Sequence, residues 1–296
     1  MDAESIAQIR RFNRTVAEGI GALDERFLGR GRPLAESRLL WEIGPDGADV
    51  RELRARLDLD SGYLSRLLRS LERQRLVRVR VAAGDRRVRR AELTAGGRKE
   101  RVELDKRSDA VAARVLEALS DRQRATLLEA AAEVERLLQA SMVRFAVERP
   151  ASRDVQWCLE QYFAELNERF DAGFDPRVAL PTDAPDLTPP AGAWIIARLH
   201  GRPVGCGAVK LQRDGSAYLK RMWVARDARG IGLGRRLLAE LESWAQRAGA
   251  SRVVLETNRA LREAIALYRA SGYVEVPAFN AEPYAHHWFE KRLSPA

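Results

Sequence analysis

The sequence predicts a multi-domain chain. A mainly-α N-terminal domain with a helix-turn-helix and a β wing covers residues 1–140, and an α/β C-terminal domain, a mixed sheet flanked by helices, covers residues 141–296. Three observations predict this. A length of 296 residues suggests about two domains. Apolar residues in the first half recur mostly at helical spacing, interrupted by one alternating basic hairpin. The second half instead alternates short β-branched runs with amphipathic helical ones.

The elements follow in order. Residues 4–28 carry Ile6, Ile9, Phe12, Val16, Ile20 and Leu23 on one helical stripe, ended by Gly29-Arg-Gly-Arg-Pro33. Residues 35–43 form a short helix before the Gly44-Pro-Asp-Gly47 turn. Asp49 is placed to cap a helix over 50–57, and Asp60 or Ser61 to cap one running to about Gln74. Leu64, Leu67, Leu68 and Leu71 of that last helix sit at i, i+3, i+4 and i+7 and form its core face. Its other face presents Tyr63, Ser65, Arg66, Arg69 and Arg73. Residues 76–81 and 88–93 alternate as strands around a basic tip containing Asp85, Arg86 and Arg87. From residue 95 to 139 the pattern is helical, with a new start at Asp121.

Charge singles out the same region. The chain has 51 basic and 42 acidic residues, a net +9. Residues 51–100 alone hold 15 Lys and Arg against 7 Asp and Glu, a net +8. A basic patch of that density fits a polyanion partner such as DNA, although a solvated arginine-rich surface would read the same way.

Ser65-Arg-x-Leu-x-x-Leu-Glu72, Leu76-Val77, Asp85-x-Arg87 and Leu93-Thr-x-x-Gly97 together resemble the MarR family of winged-helix transcription regulators over about residues 1–140. The resemblance implies double-stranded DNA as partner, at a palindromic operator, and a homodimer made by intertwined first and last helices. Arg66 and Arg69 would read base edges in the major groove. Ser61, Tyr63 and Ser65 would lie against the phosphate backbone, and Arg86 or Arg87 would enter the minor groove.

In the second half, residues 142–148 alternate as a first strand, 154–170 form a helix, and 176–190 form a Pro- and Asp-rich loop. Residues 193–199 and 204–211 are strands around a His200-Gly-Arg-Pro203 turn. Ala217-Tyr-Leu-Lys-Arg-Met-Trp-Val224 is the next strand; strict alternation puts Tyr218, Lys220, Met222 and Val224 on one face and Leu219, Arg221 and Trp223 on the other. Arg229-Gly-Ile-Gly-Leu-Gly234 breaks regular structure, and from Leu233 a helix carries Leu237, Leu238, Leu241 and Trp244 on one stripe. A strand over 252–256, a helix over 260–270 and strands from Tyr273 and near 286–290 complete the sheet.

Strand, glycine loop and helix N-terminus together form a place for a phosphate, because glycine permits close approach and first-turn amides have no intrahelical partner. The spacing is neither Gly-x-Gly-x-x-Gly nor a Walker A loop. With Leu255-Glu-Thr-Asn258, Ala264-Ile-Ala-Leu-Tyr268 and Ser271-Gly-Tyr273, it resembles the GNAT superfamily of acetyl-CoA-dependent N-acetyltransferases over about the last half of the chain. The resemblance implies the GNAT fold and acetyl-CoA as cosubstrate. Backbone groups of Met222, Trp223 and Val224 would hold the pantetheine and carbonyl, and Arg229, Gly230, Ile231, Gly232, Leu233, Gly234 and Arg235 the pyrophosphate. Asn258 and Ala264 would meet the pantetheine arm, and Tyr268 would protonate the CoA sulfur. Many relatives carry a carboxylate where this chain has Tyr218. Glu256 is the nearest replacement as general base, with a water chain or His287 as alternatives.

The expected function is therefore a transcription regulator fused to an acetyl-CoA-dependent N-acetyltransferase that acts on a small-molecule amine. The alternative is a ligand-responsive regulator whose second domain senses acetyl-CoA without turnover. Cys158 and Cys206 form no metal-ligand spacing, and no metal is expected. The sequence shows neither a secretory signal nor an apolar run long enough to span a membrane, so no membrane partner and a cytoplasmic location are expected.

Overall fold

The computed structural model describes residues 2–22, 27–82, 85–180 and 183–294, with the backbone alone at 82 and 85–87. The chain divides into two compact units, Met1–Ala132 and Glu133–Ala296.

The first unit begins with α1 (Ala3–Gly19), capped by the Asp2 carboxylate on the Ser5 amide. The helix stops at Gly19, well short of residue 28, since Gly21 takes up φ +66 beyond it. Ile6, Ile9 and Val16 are 46%, 56% and 42% exposed, so the whole α1 stripe lies uncovered within one chain. Then come α2 (Leu34–Ile43), β1 (Ala48–Asp49), α3 (Val50–Leu57) and α4 (Ser61–Arg73). Asp49 caps α3, and Asp60 caps α4 through the Tyr63 amide, leaving Ser61 inside the helix. The hairpin β2 (Val77–Ala82) and β3 (Asp85–Leu93) pairs antiparallel, with β1 on the far edge of β3. Leu39, Leu40, Leu53, Leu64, Leu71 and Leu104 pack into one core beneath it. Thr94 caps α5 (Ala95–Glu117), and α6 (Asp121–Met142) follows with no buried residue. Met142 ends α6 rather than opening a strand; the buried Val143 separates it from the next element.

The second unit is a seven-stranded mixed sheet in the order β4-β5-β6-β7-β8-β10-β9. Its elements are β4 (Arg144–Glu148), α7 (Arg153–Arg169), β5 (Gly192–Leu199), β6 (Arg202–Leu211), β7 (Ser216–Val224), α8 (Leu233–Arg247), β8 (Arg252–Thr257), α9 (Arg262–Ala270), β9 (Val274–Val276) and β10 (His287–Arg292). One apolar cluster joins the sheet to α8 and α9 through Leu237, Leu238, Leu241 and Ile265, and a second joins it to α7 through Val155 and Cys158.

Two irregularities of β7 position the site. Cys206 pairs with Trp223 and Ala208 with Lys220, so one residue of β6 faces two of β7, and Arg221 takes φ +56 in this bulge. The extra residue reverses the alternation. Leu219 before it and Met222 and Val224 after it pack against the α8–α9 cluster, whereas Trp223 joins the α7 cluster. The strict two-face reading of this strand is therefore wrong beyond Lys220. Second, the parallel β7–β8 ladder holds only over Ser216–Tyr218 against Arg252–Val254, and the strands have no further pairing beyond it.

Candidate active site

The divergence of β7 and β8 opens a cleft with two arms. The first, of about 640 Å³, is lined by Met222, Trp223 and Val224, by Arg229, Gly230 and Gly232 to Arg235, and by Leu261, Ala264 and Tyr268. Gly232 is the N-cap of α8 at φ +76 with no side chain capping the helix. The first-turn amides of Leu233, Gly234 and Arg235 thus have no intrahelical acceptor and mark the positive end of the helix dipole. Leu233 is buried and anchors that turn. A Cβ on Gly234 would come within 3.3 Å of Leu267 Cδ2, so glycine lets α8 approach α9 here.

Not every residue of this stretch faces the cleft. The Arg229 guanidinium donates to the Val224 carbonyl at 2.9 and 3.0 Å and lies 2.5 Å from Glu165. Its side chain ties the end of β7 to α7. Ile231 packs against the α7 cluster. Glu165 also accepts from the Trp223 indole at 2.9 Å. Burial alone would raise its carboxyl; Arg229 and Trp223 outweigh burial and hold it below the usual carboxylate range.

The second arm shares Tyr162, Leu166, Met222, Leu261, Ala264 and Tyr268 with the first, so the two meet at Met222 and Tyr268. It continues past Lys220, Arg221, Glu256, Asn258 and Glu282 to Phe163, Phe170, Phe174 and Tyr284. The Tyr218 hydroxyl donates to Glu256 Oε1 at 2.5 Å. Asn280 Nδ2 donates to Glu256 Oε2 at 3.3 Å and to the Tyr218 oxygen at 3.0 Å, and the Trp288 indole fixes Asn280 at 2.9 Å. Burial pushes the Glu256 carboxyl above its usual value against the pull of the Tyr218 hydrogen bond. Lys220 Nζ stands 3.8 Å from Glu282, and burial lowers its pKa.

Tyr268 is buried on α9, its ring 5.8 Å from Tyr273 and 5.9 Å from Phe289, and burial raises its phenol. Asn258 donates to the Tyr284 carbonyl at 2.7 Å and accepts from the Ala260 amide at 2.9 Å. The structure thus employs Asn258 in fixing the turn into α9 and the Tyr284 loop, and places it on the second arm. His286 is exposed, and His287 Nδ1 lies 2.6 Å from Glu275 Oε1. His287 shares its register with Thr257 while Trp288 pairs with Glu256, and neither histidine lines the cleft. Sequence reasoning missed Arg221, Glu282, Asn280 and Trp288; the bulge hides the first, and loop positions without periodicity hide Glu282 and Asn280.

On the first unit, Arg66 and Arg69 of α4 are exposed, Arg66 standing 5.6 Å from the Tyr63 ring, while Ser61 is exposed and Ser65 part-buried. Arg66 and Arg69 project away from the buried leucines of α4, whereas Tyr63 packs partly against the leucine cluster. The side chains of Asp85, Arg86 and Arg87 lie outside the described residues. Among the described residues, no cluster of three or more His, Cys, Asp or Glu could hold a metal ion, and no helix is long and apolar enough to cross a membrane.

Comparison with known proteins matches residues 155–273 to the acetyltransferase (GNAT) family and residues 30–88 to the MarR family. An IAA acetyltransferase of Azospirillum brasilense is 35% identical over 143 residues, which cover 48% of this chain and 90% of that protein. An N-acetyltransferase of Schizosaccharomyces pombe is 35% identical over 101 residues, 33% of this chain and 59% of that one. A crystal structure of a GNAT-family acetyltransferase from Staphylococcus aureus aligns with 51% of this chain and 99% of its own, at 16% identity and a TM-score of 0.43. The family match over residues 155–273 and the Azospirillum relative, 90% of whose length this chain covers, make the chain a member of the acetyltransferase (GNAT) family that also carries a segment, residues 30–88, matching the MarR family.

Proposed function

We propose that the second unit is an acetyl-CoA-dependent N-acetyltransferase acting on a small-molecule amine, and that the first is a DNA-reading regulator. One observation carries the enzymatic reading. A single cleft runs from the uncapped amides at Leu233–Arg235, past Met222 and Tyr268, to the part-buried Glu256.

The residues fit the group the family implies. Positive φ at Gly230 and Gly232, and the absence of a Cβ at Gly234, leave a main-chain cradle suited to a pyrophosphate. Leu233 to Arg235 supply its amides, and Arg235 a nearby cation. Trp223 and Val224 flank the path and Ala264 keeps it open. Acetyl-CoA, when held there, supplies an acyl thioester. The chain's own groups then manage protons. Glu256, its carboxyl raised above the usual value by burial, accepts a proton from the acceptor ammonium, since only the neutral nitrogen is nucleophilic. Tyr268, at the junction of the arms and held neutral by burial, donates its hydroxyl proton to the departing sulfur. Tyr218 and Asn280 keep Glu256 oriented.

The DNA reading rests on exposed Arg66 and Arg69 along α4 beside Ser61, Tyr63 and Ser65, with Arg86 and Arg87 at the start of β3. The uncovered apolar faces of α1 and α6 support a homodimer through the first domain, with residues 1–140 and 141–296 as the functional division. A palindromic operator would match that two-fold symmetry, and a cytoplasmic location suits such a protein.

The test is calorimetry of the full chain with CoA, together with CoA thiol release across a panel of amines. Heat of binding plus thiol release supports an enzyme. Binding without release from any amine supports the sensor alternative, and no binding removes both.

A further inference from the structure

Among the described residues, the second arm contains one cation with no anionic partner. Of its four charged side chains, Lys220 faces Glu282, and Glu256 is held by Tyr218 and Asn280. The Arg221 guanidinium has no hydrogen bond or ion pair among the described residues. Its Cζ stands 5.9 Å from the Trp194 ring centroid, and the hydrogen bond at this residue is to its main-chain oxygen, from Cys206 Sγ at 3.5 Å. The side chain is part-buried, and burial lowers its pKa. A guanidinium withdrawn from water without an anion is costly. The residue is also held at φ +56 in the β7 bulge, a conformation that disfavours any side chain. Desolvation and backbone strain at one cleft residue are the pattern of a group placed for a ligand.

Two further features define that ligand. Glu282 Oε1, on the same arm, is buried with no hydrogen-bond partner among the described residues, an acceptor suited to an ammonium. Beyond it stand four rings. Phe174 lies 5.4 Å from Phe163, 5.9 Å from Phe170 and 4.8 Å from Tyr284, and all four line the arm. Packed on one another, these rings form an apolar wall against which an apolar or aromatic group can lie.

We propose that the acceptor is an amino acid with an apolar or aromatic side chain, its carboxylate on Arg221, its amine beside Glu256 and Glu282, and its side chain against the wall of four rings. The inference rests on the acetyl-transfer reading above. A planar arginine fork matches a carboxylate bidentately, and that pairing removes the unneutralised charge. In the transfer, the ammonium gives one proton to Glu256. The freed nitrogen lone pair forms the C–N bond to the acetyl carbon as the C–S bond breaks. The sulfur leaves with the pair, takes the Tyr268 proton, and the second nitrogen proton restores Tyr268. The products are an N-acetyl amino acid, free CoA thiol and the proton returned by Glu256 to solvent.

The experiment measures CoA release from the full chain with L-phenylalanine and L-tryptophan, with their decarboxylated amines phenethylamine and tryptamine, and with spermidine. The amino acids are expected to exceed the decarboxylated amines by about 10- to 100-fold in kcat/KM, the range of a charge-assisted pair. Arg221→Gln is expected to erase that preference through KM, with calorimetric affinity for CoA unchanged. Equal or better turnover of the decarboxylated amines, a preference for spermidine, or a preference that survives in Arg221→Gln each overturns the assignment. The wild-type comparison needs no variant, so a misfolded Arg221→Gln leaves the test standing. If no amine is acetylated, the acetyl-transfer reading fails separately. Calorimetry of L-phenylalanine against phenethylamine with CoA bound then decides: tighter binding of the amino acid supports the carboxylate site, and equal or absent binding overturns it.

Discussion

The two arms of the cleft are built on opposite principles. One wall of the first is a glycine-rich stretch between Val224 and Arg235 that offers main-chain amides, its Arg229 side chain tied to Glu165, while α7 and α9 line much of the rest. The second is made of side chains from β7, β8, α7, α9 and the loops around Phe174 and Glu282. The difference teaches where each arm is vulnerable. A main-chain site fails when a Cβ or a wrong φ intrudes, while most side-chain changes pass unnoticed. A side-chain site tolerates backbone-neutral changes poorly, because each group is irreplaceable and its pKa is set by its neighbours.

The sharpest break is expected where the arms meet. Tyr268→Phe removes one oxygen from a buried ring and little packing. On the proposed roles kcat falls by about 100-fold or more, while the calorimetric affinity for CoA stays within about twofold. A kcat within about threefold of the wild type would return Tyr268 to a purely structural place between Tyr273 and Phe289.

Next comes Glu256→Gln, expected to lower kcat/KM by about 100-fold and to change its pH dependence. The sign follows from the direction of the shift. Burial raises the Glu256 carboxyl, so the group that must be ionised to accept a proton becomes so only at higher pH than an ordinary glutamate. The wild-type rate therefore rises with pH through a limb displaced upward from the usual carboxylate range, and the variant lacks that limb. Persistence of the limb in the variant would move the base to another group.

A smaller effect tests the main-chain arm. Gly232→Ala places a Cβ where nothing lies within 4 Å but at φ +76. The left-handed conformation costs an L-residue about 1–2 kcal/mol, so CoA affinity or the melting temperature falls, affinity by at most about thirtyfold. The acceptor KM is expected to hold. A change in acceptor KM of the same size would mean that the arms are not separable.

The same contrast explains what could be read without a structure. The first arm was legible because its chemistry is local: Arg229-Gly-Ile-Gly-Leu-Gly234 and the amphipathic stripe after Leu233 lie within one window. The caps at Asp49 and Asp60, the buried leucines of α4 and the antiparallel hairpin were legible for the same reason. The end of α1 was not, because a stripe that continues to Ile20 and Leu23 outweighed Gly19 and Gly21 in a reading by periodicity. The second arm was largely illegible. Glu256 was found by elimination, but its partnership with Tyr218 and Asn280 joins positions 38 and 24 residues apart. Arg221 was assigned by strict alternation to the wrong environment, since a one-residue bulge leaves no mark in hydropathy and reverses every side chain after it.

The least effect is expected at the base of the split, which both arms share. Asp214 accepts from the Ser216 hydroxyl at 2.6 Å and the Ser216 amide at 3.0 Å, and lies 2.7 Å from Arg252. Ser216 and Arg252 are the first pair of the short β7–β8 ladder, so Asp214 pins the strands just before they part. Its carboxyl is lowered from 3.8 to about 2, first by the Ser216 hydroxyl, then by the Ser216 amide and Arg252. A depressed acid stabilises the fold while ionised, so the contribution is complete above 3.8 and fades as the pH falls toward 2. The carboxylate is half exposed and solvent screens it, so Asp214→Asn is expected to lower Tm at pH 7 by only about 2 °C or less. That difference should shrink in melts between pH 4 and pH 2, and kinetics for both substrates should shift together. If only one arm responds, the strands are pinned elsewhere and the cleft is not opened from this hinge.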